Sequence, residues 1–281
     1  MIVYGTEFLL GADPECFIIN KKTRKLVSAH GMLPGTKEEP FKVKYGAIQV
    51  DGMAAEFNIE PAKTKKSFIR NVTVVLNTLR EMIGPEHELC FSSIAEFGMD
   101  FIKKQPIEAI ELGCDPDFDA WTGDVNPVPN AEVDFITAAG HIHIGWTEGQ
   151  DTKNPAHLEV CRHLIRNLDY GTSPTMLLDK EHKRRGLYGD IGAFRPKSYG
   201  VEYRTPSNFW IQSAYTIGLM YDLVVSTIRH VVGGTDFVKG GGFGGYHFDS
   251  LKKDFNTPLT EDRKHVMKLR YNTITGGKIH V

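Results

Sequence analysis

The stretch Gly11-Ala12-Asp13-Pro14-Glu15-Cys16-Phe17 decides how the rest of the chain is read. In an extended strand alternate side chains share a face, so Asp13 and Glu15 project together while Cys16 and Ile18 point away. Their flanks, Phe8-Leu9-Leu10 and Phe17-Ile18-Ile19, are apolar. Two carboxylates held side by side in an apolar strand are an unusual make-up for solvated surface. The plain alternative is an exposed rim, with Pro14 marking an edge strand.

Three later stretches have the same character. Residues 47–60 read as a strand closed by Pro61, with Glu56, Asn58 and Glu60 on one face and Met53, Ala55, Phe57 and Ile59 on the other. Asp51 falls on the opposite parity and joins the acids only if Gly52 makes a bulge or a sharp bend. A polar outer face over a buried apolar one would look the same. In Ala138-Ala139-Gly140-His141-Ile142-His143-Ile144-Gly145-Trp146, the two histidines share a face, and Ile142, Ile144 and Trp146 pack on the other. Such a pair can coordinate a metal, touch an anion, or be satisfied by backbone. Finally, Tyr199-Gly200-Val201-Glu202-Tyr203-Arg204-Thr205-Pro206 places Glu202 and Arg204 together, with Arg195, Lys197 and the Arg184-Arg185 pair just upstream. A local ion pair is the alternative there.

Around these motifs the periodicity predicts strands over 7–20 and 47–60, then a helix over 67–83 ended by Gly84-Pro85. A strand is expected over 88–97, a loop over 113–131, strands within 135–146 and 200–205, and helices over 155–168, 209–232 and 259–271. The glycines from Gly233 to Gly245 imply a mobile loop. Strands and helices mix without strict alternation, so the class expected is α+β: an antiparallel sheet carrying helices on one side, in a single domain over 1–281.

The composition, 41% hydrophobic and 24% charged with a formal net charge of -2 in 281 residues, is that of an ordinary globular chain. Its basic residues are dispersed, and the densest group, residues 180–185, contains Glu181 and follows Asp179; a nucleic-acid stripe is not expected. No apolar run is long enough for a membrane helix and no leader pattern opens the chain, so a cytoplasmic protein is expected. Cys16, Cys90, Cys114 and Cys161 show no paired spacing, which suits reduced thiols.

If the four strand faces line one concave surface, Asp13, Glu15, Asp51, Glu56 and Glu202 crowd together, and each uncompensated buried charge costs several kcal/mol. Divalent cations would remove that cost. Two ions roughly 3.5–4 Å apart would leave the arginines to meet an anion, as phosphate-transferring sites require. Oxygen-rich ligation favours Mg²⁺ or Mn²⁺ over zinc.

In the order of these motifs the sequence resembles the glutamine synthetase and glutamate-cysteine ligase superfamily, most closely its phage-type carboxylate-amine ligase branch, type 2. Residues 11–17 resemble its first acidic strand, 51–61 its second, 140–145 its histidine strand and 202–206 its Glu-x-Arg-x-Pro element. The resemblance covers roughly residues 7–210. It implies a curved, mainly antiparallel sheet lined by carboxylates with helices outside, and an ATP- and Mg²⁺-dependent enzyme that makes an amide through an acyl phosphate. It gives one metal to Glu15, Glu56 and Asp51, with Glu60 as substitute for Asp51, and the other to Asp13, His141 and Glu202. Arg195 and Arg204 would meet phosphate, assisted by Lys197; His143 would face the nucleotide phosphates or the carboxylate substrate; Arg184 and Arg185 would bind either anion. Asp13 departs from the longer Glu of glutamine synthetases. The acidic loop with Asp115, Asp117 and Asp119, and the glycine-rich stretch, would set substrate choice. The substrates would be small-molecule, peptide or protein carboxylates and amines. A guanidino-kinase-like phosphotransferase, a metal-dependent hydrolase using the His-x-His strand, and a metal-stabilised binding protein are the competing readings.

Overall fold

A computed structural model describes residues 7–110, 117–127, 133–179, 182–238 and 248–279. Its centre is the long strand β1 (Leu9–Asn20), from which a sheet grows on both sides. One side carries β5 (Ala54–Ile59), β4 (Gly46–Asp51) and β3 (Phe41–Val43). The other carries β10 (Gly140–Gly145), β12 (Gly200–Tyr203), β11 (Ala193–Lys197) and β8 (Phe118–Asp119). The far end of β1 also pairs with β2 (Leu26–Val27) and β6 (His87–Cys90), while β7 (Ile94–Ala95) and β9 (Ile136–Thr137) form a small separate ladder. Every pairing among the described residues is antiparallel, as the strand pattern predicts.

The sheet has two unlike faces because its strands alternate. Ala12, Cys16, Ile18, Ile48, Phe57, Ile142, Ile144, Phe194 and Val201 point to one side and join a single apolar core. Helices α1 (Lys65–Met82), α4 (Pro155–Thr172) and α5 (Ala214–Val232) cover that side, contributing Phe68, Val72, Leu164, Leu168, Met220 and Val224. Their limits follow from local chemistry: Thr64 and Ser67 form a reciprocal capping box at the start of α1, and Ser213 and Thr216 do the same for α5. Helices α6 (Phe248–Asn256) and α7 (Glu261–Thr275) pack beyond α5 through Leu251, Phe255, Tyr271 and Ile274. The short helices α2 (Met99–Ile102) and α3 (Ile107–Ile110) lie between β7 and β8 in the chain.

Several expectations need correction. Residues 47–60 are two strands, not one: Asp51 pairs with Ala54 across a two-residue turn in which Gly52 adopts φ 59°. The alternative in which Pro14 marks an edge strand fails, since β1 is the central strand and Pro14 pairs with Gly140. The segment 193–197 is a strand that was not expected, hairpinned to β12 despite Pro196. The helix expected over 209–232 begins at Ala214, after a single turn of tighter helix at Asn208–Gln212. Cys16 and Cys161 are buried free thiols, as expected, while Cys90 is partly exposed and Cys114 lies outside the described residues. No helix among the described residues is long and apolar enough to cross a membrane.

Candidate functional site

Strand register assembles the polar face. Directly opposed residues run as Gln49–Glu56–Glu15 from β4 to β1, as Asp13–His141 from β1 to β10, and as His143–Glu202–Arg195 from β10 to β11. Opposed residues share a face in an antiparallel pair, so six strands contribute to one polar floor. The hairpin at Gly52 resets the parity of β4. Asp51 therefore faces the same side as Glu56, which a single unbroken strand would have forbidden.

Above this floor lies a cavity of about 410 Å³, lined by Asp13, Glu15, Asp51, Glu56, His141, Arg195, Lys197, Glu202 and Arg204, and also by Lys37 and Tyr188. A second chamber of about 700 Å³ on the same face shares Asp13, Gln49 and Glu56 with it and is walled by Trp146 and Tyr199. Both volumes are in the range of small-molecule sites.

At one end, ligand atoms of Asp13, His143 and Glu202 lie within 4.8 Å of one another. Asp13 Oδ1 is 2.9 Å from His143 Nε2, yet the two are not aligned for a hydrogen bond and neither makes one elsewhere. A separation of about 2.9 Å is what adjacent ligands have around an octahedral ion with bonds near 2.1 Å. Two carboxylates and an imidazole within this reach are a donor set that fits a divalent cation. Tyr199 hydrogen-bonds Nδ1 of His143, which fixes the ring with Nε2 toward the acids. His141, the histidine expected to ligate, has Nδ1 3.5 Å from both Asp13 and Glu202 and lines the cavity beside them.

Glu202 is also the hub of the basic residues. Lys197 Nζ is 2.8 Å from one of its oxygens and Arg195 3.5 Å from the same one; Arg204 donates to the other. Arg204 Nε also donates to Asp117 at 3.0 Å. Burial opposes charge on Asp13, but His143 and His141 hold its carboxyl well below the usual carboxylate range. Burial and Arg204 push His141 down; burial also opposes charge on His143, but Asp13 and Glu202 together raise it.

The expected second metal group behaves differently. Burial and Asp51 lift Glu15 to about 7, and burial with Asp13 lifts Glu56 well above the usual range. Glu15 accepts from the Ala139 backbone N–H at 2.8 Å, and Glu56 accepts from Gln49 at 2.8 Å. Glu15, Asp51 and Glu56 share the cavity but do not form a group within that 4.8 Å radius. Instead Lys37 Nζ lies 2.8 Å from Asp51. Glu60, the substitute for Asp51, is exposed beyond the end of β5.

Arg184 and Arg185, expected to meet an anion, are turned into the protein. Arg184 donates to the carbonyls of Thr205 and Arg204, while Arg185 pairs with Asp179 and the Phe255 carbonyl, and neither lines the cavity. In the acidic loop Asp117 holds Arg204, whereas Asp119 turns back to accept from the Trp121 N–H; Asp115 and the glycines at 240–245 lie outside the described residues. Sequence reasoning missed Lys37 and Gln49. The Gln49 position was readable as the partner of Glu56 once Asp51-Gly52 is taken as a hairpin signal; Lys37 has no comparable signal.

Comparison with known proteins adds the following. Residues 128–263 match the family described as phage phiEco32-like COOH.NH2 ligase-type 2, a span that takes in β10, β11 and β12 but not β1, β4 or β5. No curated protein matches the chain. Among solved structures, a bifunctional glutathione synthetase from Pasteurella multocida aligns over 96% of this chain at 9% identity and a TM-score of 0.41. The chain spans about half of that protein, 51% of its length. A novel glutamine synthase homolog aligns over 96% of this chain and 68% of its own, at 12% identity and a TM-score of 0.39.

Proposed function

Proceeding from the ligase-family match over residues 128–263, we propose that this chain joins a carboxylate to an amine using ATP and Mg²⁺ or Mn²⁺. The observation that carries the proposal is the convergence of Asp13, His143 and Glu202 where the two chambers meet, beside a cavity whose walls present Arg195, Lys197 and Arg204. Carboxylates and an imidazole suit a hard or borderline divalent cation, and three adjacent basic side chains suit phosphoryl oxygens. A divalent cation bound there would shield negative charge on the triphosphate.

In the first step a substrate carboxylate oxygen attacks the γ-phosphorus of ATP, the bond to the β–γ bridging oxygen breaks, and ADP leaves. Arg195, Lys197 and Arg204 act by holding the transferring group and stabilising its charge. In the second step the amine attacks the acyl carbon, phosphate leaves, and a cavity carboxylate takes the proton from the amine nitrogen. No covalent enzyme intermediate is required. The neighbouring chamber beside Trp146 and Tyr199 offers room for the remainder of a substrate, which we take to be a small molecule or a group on a peptide or protein.

The test is a coupled assay with ATP, Mg²⁺ and panels of carboxylates and amines. The expected result is ADP that depends on the carboxylate, with free phosphate released when the amine is added. ADP made from a guanidino compound without free phosphate, or turnover that needs no nucleotide, would overturn the proposal in favour of a kinase or a hydrolase.

A further inference from the structure

The second acidic group already has a cation of its own. Lys37 reaches Asp51 at 2.8 Å and lines the same cavity as Glu15 and Glu56. Burial opposes its charge, but Asp51, Glu56 and Glu15 together make it hold its proton more tightly than a free lysine. This placement is specified by the backbone. Gly35, at φ 89°, accepts from the Val50 N–H at 3.2 Å, and a Cβ there would lie 2.4 Å from the Ile48 carbonyl oxygen. Residue 35 is thus clamped flat against β4, where only glycine fits. The chain then turns at once: Thr36 N–H donates to the Glu39 carbonyl at 3.1 Å, and Glu39 N–H donates to the Thr36 hydroxyl at 3.1 Å. Lys37 is projected from that turn over the tip of the β4–β5 hairpin, and it lines the cavity beside Asp51, Glu15 and Glu56.

We propose that Lys37 is the tethered counter-cation of Glu15, Asp51 and Glu56, so that the trough takes a single divalent ion, at Asp13, His143 and Glu202, where two would be expected from the number of its acids. The inference rests on the metal reading given above and adds a specificity role to a residue outside the sheet. A fixed ammonium supplies one positive charge where a second ion would supply two. It also leaves the oxygens of Glu15 and Glu56 to the Ala139 N–H and Gln49.

Mn²⁺ titration, followed by loss of the free-ion paramagnetic resonance signal, tests this by stoichiometry. The expected result is one ion per chain for the parent protein and for Lys37→Arg, two for Lys37→Met, and one again for Lys37→Met combined with Asp51→Asn. Two ions in the parent protein, or one in Lys37→Met, would overturn the proposal while leaving the Asp13 site standing. No ion in the parent protein at millimolar Mn²⁺ would remove the metal reading itself and this inference with it. Circular dichroism of each variant separates lost binding from lost folding.

Discussion

Replacing Glu202 by Gln keeps the side chain's shape and removes one negative charge from a residue that is 1% exposed. That charge faces Lys197 at 2.8 Å, Arg195 at 3.5 Å and Arg204. With an effective dielectric near 20, unit charges at the first two separations attract by about 6 and about 5 kcal/mol. Those gross values shrink because the Lys197 and Arg195 side chains are 28% and 19% exposed, and water takes over part of their solvation. Arg204 is the severe case, since it is almost wholly buried and, among the described residues, retains only Asp117 as an ion-pair partner. Stripping one partner from a buried ion cluster costs roughly 3–5 kcal/mol, and the partial exposure of two cations places the expectation near the lower end, at about 3 kcal/mol. Guanidinium unfolding followed by tryptophan fluorescence measures it. Adding Lys197→Met to Glu202→Gln should recover part of the loss by removing one stranded cation, while ligase turnover stays abolished in both. Stability of Glu202→Gln within about 0.5 kcal/mol of the parent would refute the reasoning, because the charge would then not be holding the basic residues in place.

Tyr199→Phe removes the hydroxyl that orients His143 without opening a cavity, so Mn²⁺ affinity should fall about 10- to 100-fold with little change in unfolding free energy; unchanged affinity in the same titration would show that the ring needs no such support. Asp169 gives a pH prediction. It is buried between α4 and β12, accepts from Trp121, Tyr203 and Thr205, and burial lifts it to about 7. The folded state then binds its proton more tightly than the unfolded chain, so its stabilisation is present below about pH 4 and is lost as pH rises toward 7, by at most roughly 4 kcal/mol. The stability difference between the parent protein and Asp169→Asn should therefore change across pH 4–7; a constant difference would mean that the three donors keep Asp169 ionised throughout.

The alternation of Asp13 with Pro14 and Glu15, and of His141 with Ile142 and His143, made it legible that these side chains share a face, because a strand has a period of two and no other choice. The apolar spacing of α1 and its Gly84-Pro85 stop were equally readable. What alternation does not carry is the point at which a strand folds back. The sequence allows Asp51 onto the acidic face only through a bulge or sharp bend at Gly52; the hairpin turn supplies that bend, and it also adds Gln49, which the reading of one strand hid. Pro196 concealed β11, since proline argues against strand assignment; it is tolerated near the end of the sheet, where only the short β8 pairs with β11 on its other side. Arg184 and Arg185 show the limit of charge as a guide. Arg184 serves backbone carbonyls 20 or more residues away, which no sequence pattern marks, and Arg185 pairs with the buried Asp179 six residues upstream, a partner visible in the sequence but not distinguishable there from a solvated neighbour.

The register of β1 ties two fates together. Sliding it by one residue against β10 or β5 would carry Asp13 and Glu15 beneath the helices and thrust Cys16 and Ile18 into the trough. A chain paired in that way would lose its oily interior at the same moment as its reactive groups, so it would be recognised by proteases as unfolded. Mispaired copies should therefore be cleared rather than persist as intact but inert molecules, and selection for a sound interior also guards the chemistry on the reverse side.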